Sequence, residues 1–69
     1  MGAKEKLGER VRDLREERGL SQRRLALMIG IDKTYLCGIE RGSRNPTLAT
    51  LEKIADGLGI PLAELFAGV

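Results

Sequence analysis

Thr34, Cys37, Gly38 and Arg41 recur at i, i+3, i+4 and i+7, a spacing that lines four side chains along one stripe of a helix. The stripe is narrow because its side chains are mostly small, so its backbone can come close to a flat partner. Lys33 at the N-terminal end and Arg41 at the other carry donors suited to guanine acceptors or phosphate oxygens. The chemistry open to such a stripe is hydrogen bonding to base edges in a DNA major groove; the plainer reading is a solvated helix face. Arg44 and Asn45 follow directly, where a loop would flank the groove and phosphate contact is the natural role. A solvated turn is their alternative.

Other donors gather nearby. Gln22 opens the preceding apolar-patterned segment, where its amide and the free N–H groups of a helix start can both face a phosphate. Arg23 and Arg24 stand beside it, either as further phosphate contacts or as solubilising charges. Tyr35 lies at the edge of the stripe, where it can stack on a thymine methyl or a flexible pyrimidine–purine step, or can cover the rim of a core. Cys37 has no basic or metal partner at local spacing, so it reads as a small packing residue rather than a redox switch.

These residues need a frame that holds them at a fixed angle, and residues 22–41 supply one. Leu25, Ile29, Ile31, Leu36 and Ile39 form an apolar set expected to be buried, Ala26 is small where two helices would touch, and Gly30 sits at the turn. This is a helix-turn-helix pattern over about residues 21–41. Ser21 and Asp32 stand at the N-cap positions of helices predicted over 22–29 and 33–41, and Gly42 closes the second. Glu40 follows Ile39 and leans toward the body of the domain, where a charge needs a partner. Arg15, next to Leu14 on the first helix, is placed to supply one. Two solvent-exposed charges are the alternative.

The remaining elements complete a core. Leu7, Val11 and Leu14 make one apolar stripe over residues 4–18, which Gly19 terminates. Pro46 holds Asn45 extended, Thr47 can cap a fourth helix carrying Leu48, Leu51, Ile54, Ala55 and Leu58, and Gly59 ends it. A last short helix begins near Pro61 with Leu62, Leu65 and Phe66. No segment alternates with period two. The expectation is an all-α, five-helix domain over 1–69, with residues 47–66 completing the core and a dimer interface.

Composition narrows the function classes. The 69 residues are 42% apolar and 32% charged, enough for one small core. The net charge is only +2, but residues 21–45 hold five basic against two acidic side chains, so the surplus falls on the motif, where a polyanion would meet it. A single Cys excludes an internal disulfide framework, and with no His no ordinary zinc site or imidazole base is available. No cofactor, metal or small-molecule ligand is indicated. There is no apolar run of the roughly 20 residues a membrane span needs, and the charged N-terminal stretch is unlike a signal peptide. A cytoplasmic location follows as an expectation.

The chain resembles the helix-turn-helix family of phage Cro and cI repressors, the XRE family. The likeness runs from about Leu7 to Phe66 and rests on Leu14, Arg15, Gly19, Leu20, Ser21, Gln22, Leu25, Ala26, Gly30, Ile31, Ile39, Glu40, Arg41, Gly42, Asn45 and Pro46. Residues 32–48, DKTYLCGIERGSRNPTL, look most like the controller proteins of restriction-modification systems. The resemblance implies a lambda-repressor-like domain that binds operator DNA as a two-fold dimer. It also implies Gln22 on phosphate, Lys33, Thr34 and Tyr35 toward the bases, Arg44 on the backbone, and an Arg15–Glu40 ion pair inside the domain. Two positions depart from the common pattern. Cys37 stands where Ser is usual, and Gly38 where repressors often carry a long base-reading side chain, although controller-like sequences have Gly there.

One recognition helix reads too few base pairs to find an operator among genomic competitors, so a dimer is expected. Leu62, Leu65 and Phe66 are more apolar than one small core needs, which assigns them to a symmetric interface. Two recognition helices would then sit about 34 Å apart, one turn of DNA. A sequence-specific transcription regulator is the leading function. An antitoxin-type protein-interaction module that also binds DNA is the alternative, although little chain is left for a toxin-binding segment. An enzyme is the weakest reading, because neither a catalytic constellation nor a phosphate-cradling glycine loop is present.

Overall fold

Helix starts and stops follow local chemistry. Ser21 Oγ accepts from the N–H of Arg24 (3.0 Å), Asp32 Oδ1 from that of Thr34 (2.7 Å) and Thr47 Oγ1 from that of Thr50 (3.1 Å). Each cap satisfies a first-turn donor and is worth about 1 kcal/mol relative to Ala. In the computed structural model, which describes residues 2–69, these caps open the second, third and fourth of five helices. They are α1 (Ala3–Glu17), α2 (Gln22–Ile29), α3 (Lys33–Arg41), α4 (Leu48–Leu58) and α5 (Leu62–Leu65). No strand occurs among the described residues.

The corner between α2 and α3 is Gly30, at φ +73°, a left-handed conformation that a Cβ disfavours by about 1–2 kcal/mol. Its tightness comes from a hydrogen bond in which the N–H of Ile31 reaches back to the carbonyl of Ala26 (3.0 Å). Gly42, at φ +77°, ends α3. There a Cβ would also come within 2.9 Å of Glu5 Cα, so the end of α3 abuts the start of α1.

One core joins all five helices. Leu7, Val11 and Leu14 of α1 meet Leu25 and Ala26 of α2, Leu36 and Ile39 of α3, Leu51, Ile54, Ala55 and Leu58 of α4, and Leu65 of α5. Ile29 and Ile31 only border it, because the exposed corner at Gly30 holds both at the rim. α1 approaches α3 closely at Gly8. A Cβ built there would lie 2.4 Å from the carbonyl oxygen of Ile39 and 2.5 Å from that of Glu40, so backbone rests on backbone.

α5 corrects the assignment of Leu65 to a dimer interface. Leu65 has 0% exposure and belongs to the core. On so short a helix only one side can face α4, and Leu65 occupies it; Leu62 is half-buried against the same core, and Phe66 remains 39% exposed.

Two arginines tie the later helices to α1. Arg18 donates through Nε to the carbonyl of Leu58 (2.7 Å) and through Nη1 to that of Leu14 (2.9 Å). One cation thus serves the carbonyl-rich ends of α1 and α4, where the helix dipoles favour positive charge. Arg10 Nη2 donates to the carbonyl of Glu64 (3.0 Å). No described helix is long and apolar enough to cross a membrane, and no group of metal-ligating side chains occurs among the described residues.

Candidate nucleic-acid interface

A buried ion pair locks the motif to the body of the molecule. Arg15 Nε donates to Glu40 Oε2 (2.7 Å) and Nη2 to Oε1 (3.0 Å), while Nη1 reaches the carbonyl of Leu20 (2.6 Å). The two side chains are 9% and 2% exposed. Two parallel bonds of this kind fix direction as well as distance. Hydrogen bonding to Glu40 pushes the Arg15 guanidinium further above its ordinary pKa, against the opposing cost of burial, with the Glu40 charge adding to the rise. Arg15 therefore stays charged at any pH at which the protein is handled.

Gln22 joins the same cluster. Its Nε2 donates to Glu40 Oε1 (2.9 Å), so α1, the start of α2 and the second half of α3 meet at one carboxylate. The position of Gln22 at a helix start gives no sign of an inward partner; in the structure its amide is half-buried and held by this bond. The orientation of α2 on α3 therefore rests on apolar packing below and a charged clamp beside it.

On the outer side, Lys33, Thr34 and Arg41 of α3 are exposed, Cys37 is half-buried, and Arg23 and Arg24 at the start of α2 are exposed. Arg44 and Asn45 are exposed in the loop after α3. Gly38 requires a correction. It is buried rather than part of an open stripe, because beyond Gly42 the chain folds back over it. Ser43 donates to the Gly38 carbonyl through both its N–H (2.9 Å) and its hydroxyl (3.2 Å). The Arg44 stem crosses the same spot, where a Cβ on Gly38 would lie 2.4 Å from Arg44 Cγ.

Tyr35 packs against the core edge, and its half-buried ring has the Arg44 guanidinium carbon 6.0 Å from its centroid. That distance is at the outer limit of cation–π attraction. The open surface of α3 is thus concentrated at Lys33 and Thr34, with Arg41 at the far end and the Tyr35–Arg44 pair along one side. The sequence contains one signal of the fold-back over α3: a glycine inside a helical pattern costs stability and so calls for a packing reason.

The helix-turn-helix and its surrounding fold recur in known proteins. The family profile HTH_3, helix-turn-helix, matches residues 11–65. Control protein C.MunI of Mycoplasma sp is 46% identical over 65 residues, spanning 93% of this chain and 88% of its own. The restriction-modification controller protein C.AhdI from Aeromonas hydrophila superposes with a TM-score of 0.87 at 46% identity, covering 88% of this chain and 92% of its own. The controller protein C.Esp1396I, crystallised as a tetramer in complex with its natural 35 base-pair operator, gives a TM-score of 0.88 at 36% identity over 97% of this chain and 88% of its own. With a helix-turn-helix of this geometry, and with relatives that match it over most of their length, the chain belongs to the HTH_3 helix-turn-helix family.

Proposed function

We propose that this protein is a sequence-specific DNA-binding regulator of transcription that acts as a homodimer on a two-fold operator, and more narrowly a restriction-modification controller protein. The observation that carries the reading is the α2–α3 pair itself. A rigidly clamped helix presents Lys33 and Thr34 outward, with basic residues at both flanks, and the same fold in C.Esp1396I has been crystallised on its operator.

In this reading α3 enters the major groove. Lys33 and Thr34 face base edges, where one good bidentate contact discriminates by about 1–3 kcal/mol. Tyr35 lies along the groove wall. Arg41, Arg44 and Asn45 contact the backbone beyond α3. Gln22 and Arg23 meet phosphate at the start of α2, Gln22 through its N–H and the part of its amide not bonded to Glu40. Leu62 and the exposed edge of Phe66 contribute to the contact between subunits. This is a binding protein whose work is done by shape and charge, in keeping with a family of DNA-binding regulators.

Selection of bound duplexes from a random-sequence library tests the proposal. A consensus with two-fold symmetry and half-sites about 34 Å apart, one helical turn, is the expected product. A pool that stays random after repeated rounds would overturn it.

A further inference from the structure

Glycine within a helix costs about 1 kcal/mol relative to alanine, so Gly38 in the middle of the nine-residue α3 needs a reason. Three contacts supply one. Ser43 donates twice to its carbonyl, at 2.9 and 3.2 Å. The Arg44 stem lies where a Gly38 side chain would be, its Cγ 2.4 Å and its Cβ 3.5 Å from an ideal Cβ. The guanidinium that this stem carries ends 6.0 Å from the centroid of Tyr35, which stands one helical turn before Gly38.

We infer that Gly38 is a positioning residue for DNA contact: its missing side chain is the seat that lays Arg44 along α3 and beside Tyr35, so that the arginine and the aromatic ring meet the duplex as one unit. The inference rests on the proposed DNA-binding role and adds to it a residue that touches no DNA. Cγ is close to the arginine backbone, so a methyl group at Gly38 cannot be avoided by moving the far end of the side chain. Either Arg44 rotates about its first side-chain bond or the loop lifts. Both separate the guanidinium from Tyr35. An arginine held in place beforehand loses less freedom when it binds, so unseating it weakens binding even though its charge remains.

Gly38→Ala and Arg44→Ala, made singly and together, form the test. Alanine suits a helix interior, and chemical denaturation checks that each variant is folded. The probes are a duplex selected by the wild-type protein from a random-sequence library and an unselected duplex of the same length. Gly38→Ala is expected to weaken binding to the selected duplex severalfold. The double variant should match Arg44→Ala to within about twofold, the scatter with which independent sites add. Affinity unchanged in Gly38→Ala overturns the inference. So does a loss that appears in full on top of that of Arg44→Ala, since the methyl group would then act on DNA directly.

A second readout needs no DNA. In the free protein the Tyr35 ring should shift the NMR resonances of the Arg44 side chain, and Gly38→Ala should return them toward random-coil positions. Arg44 shifts that are the same in both proteins refute the seat. A library from which the wild-type protein selects no duplex refutes the DNA-binding role instead, and the NMR comparison still decides the placement of Arg44.

Discussion

Glu40 is the residue on which the motif turns. Its two oxygens accept three hydrogen bonds, two from Arg15 and one from Gln22, and its side chain is 2% exposed. Removing one partner of a buried pair leaves the other charge uncompensated, so Glu40→Ala should lower unfolding free energy by about 3–5 kcal/mol. An exposed pair contributes at most about 1 kcal/mol, and a loss no larger than that in chemical denaturation would contradict the clamp. Arg44 makes a different prediction because it is exposed. Arg44→Ala should leave stability nearly unchanged, weaken binding to all duplexes, and reduce the dependence of log affinity on log salt by about one. An unchanged salt slope in a binding titration would remove Arg44 from the backbone. At this scale the Arg15–Glu40 partnership was legible because Glu40 follows a core residue on its helix. The bond from Gln22 was not, since a polar residue at a helix start carries no mark of an inward partner in either helical period.

At the scale of elements, the ends of α2, α3 and α4 were readable because caps and left-handed glycines act within a few residues. Ser21, Asp32 and Thr47 each bond a neighbour two or three positions on. The crossings between helices were less readable. Gly8 lies beside the stripe that carries Leu7 and Val11, and although a glycine inside a helix calls for a reason, nothing local says that it is the α3 backbone that rests on it. Gly8→Ala would place a methyl group 2.4 Å from the carbonyl oxygen of Ile39, and overpacking of this kind costs about 1–3 kcal/mol. The change favours α1 intrinsically by about 1 kcal/mol, so net destabilisation in urea unfolding would show that the α1–α3 approach dominates. A stabilised variant would show that the approach has slack. Arg10 and Arg18, which hold the ends of α5 and α4, were equally hidden, because a basic residue on a charged helix carries no mark of the carbonyl it reaches.

For the whole molecule, assignment of the apolar C-terminal side chains decides between core and partner. Counting apolar residues on α5 could not tell which of them the first core would absorb. Leu65, at 0% exposure, is inside, and Phe66, at 39%, is outside. Leu65→Ala should therefore destabilise the fold by about 2–5 kcal/mol. Phe66→Ala should leave the fold intact and shift sedimentation equilibrium toward monomer. An unchanged association constant for Phe66→Ala would place the subunit contact elsewhere. The charge distribution belongs here too: residues 21–45 hold five basic side chains against two acidic, so the net positive charge is greatest on the segment that contains α2 and α3.

If the first turn of α3 reads sequence, competition binding with wild-type protein and Lys33→Ala will show it. The duplex selected by the wild-type protein competes against a scrambled duplex of the same composition. The wild type should prefer the selected duplex by at least about a thousandfold. Lys33→Ala should lower that preference by about 1–3 kcal/mol, the worth of one base contact, while affinity for the scrambled duplex changes less. Equal binding of the two duplexes by the wild-type protein would mean that α3 reads no sequence.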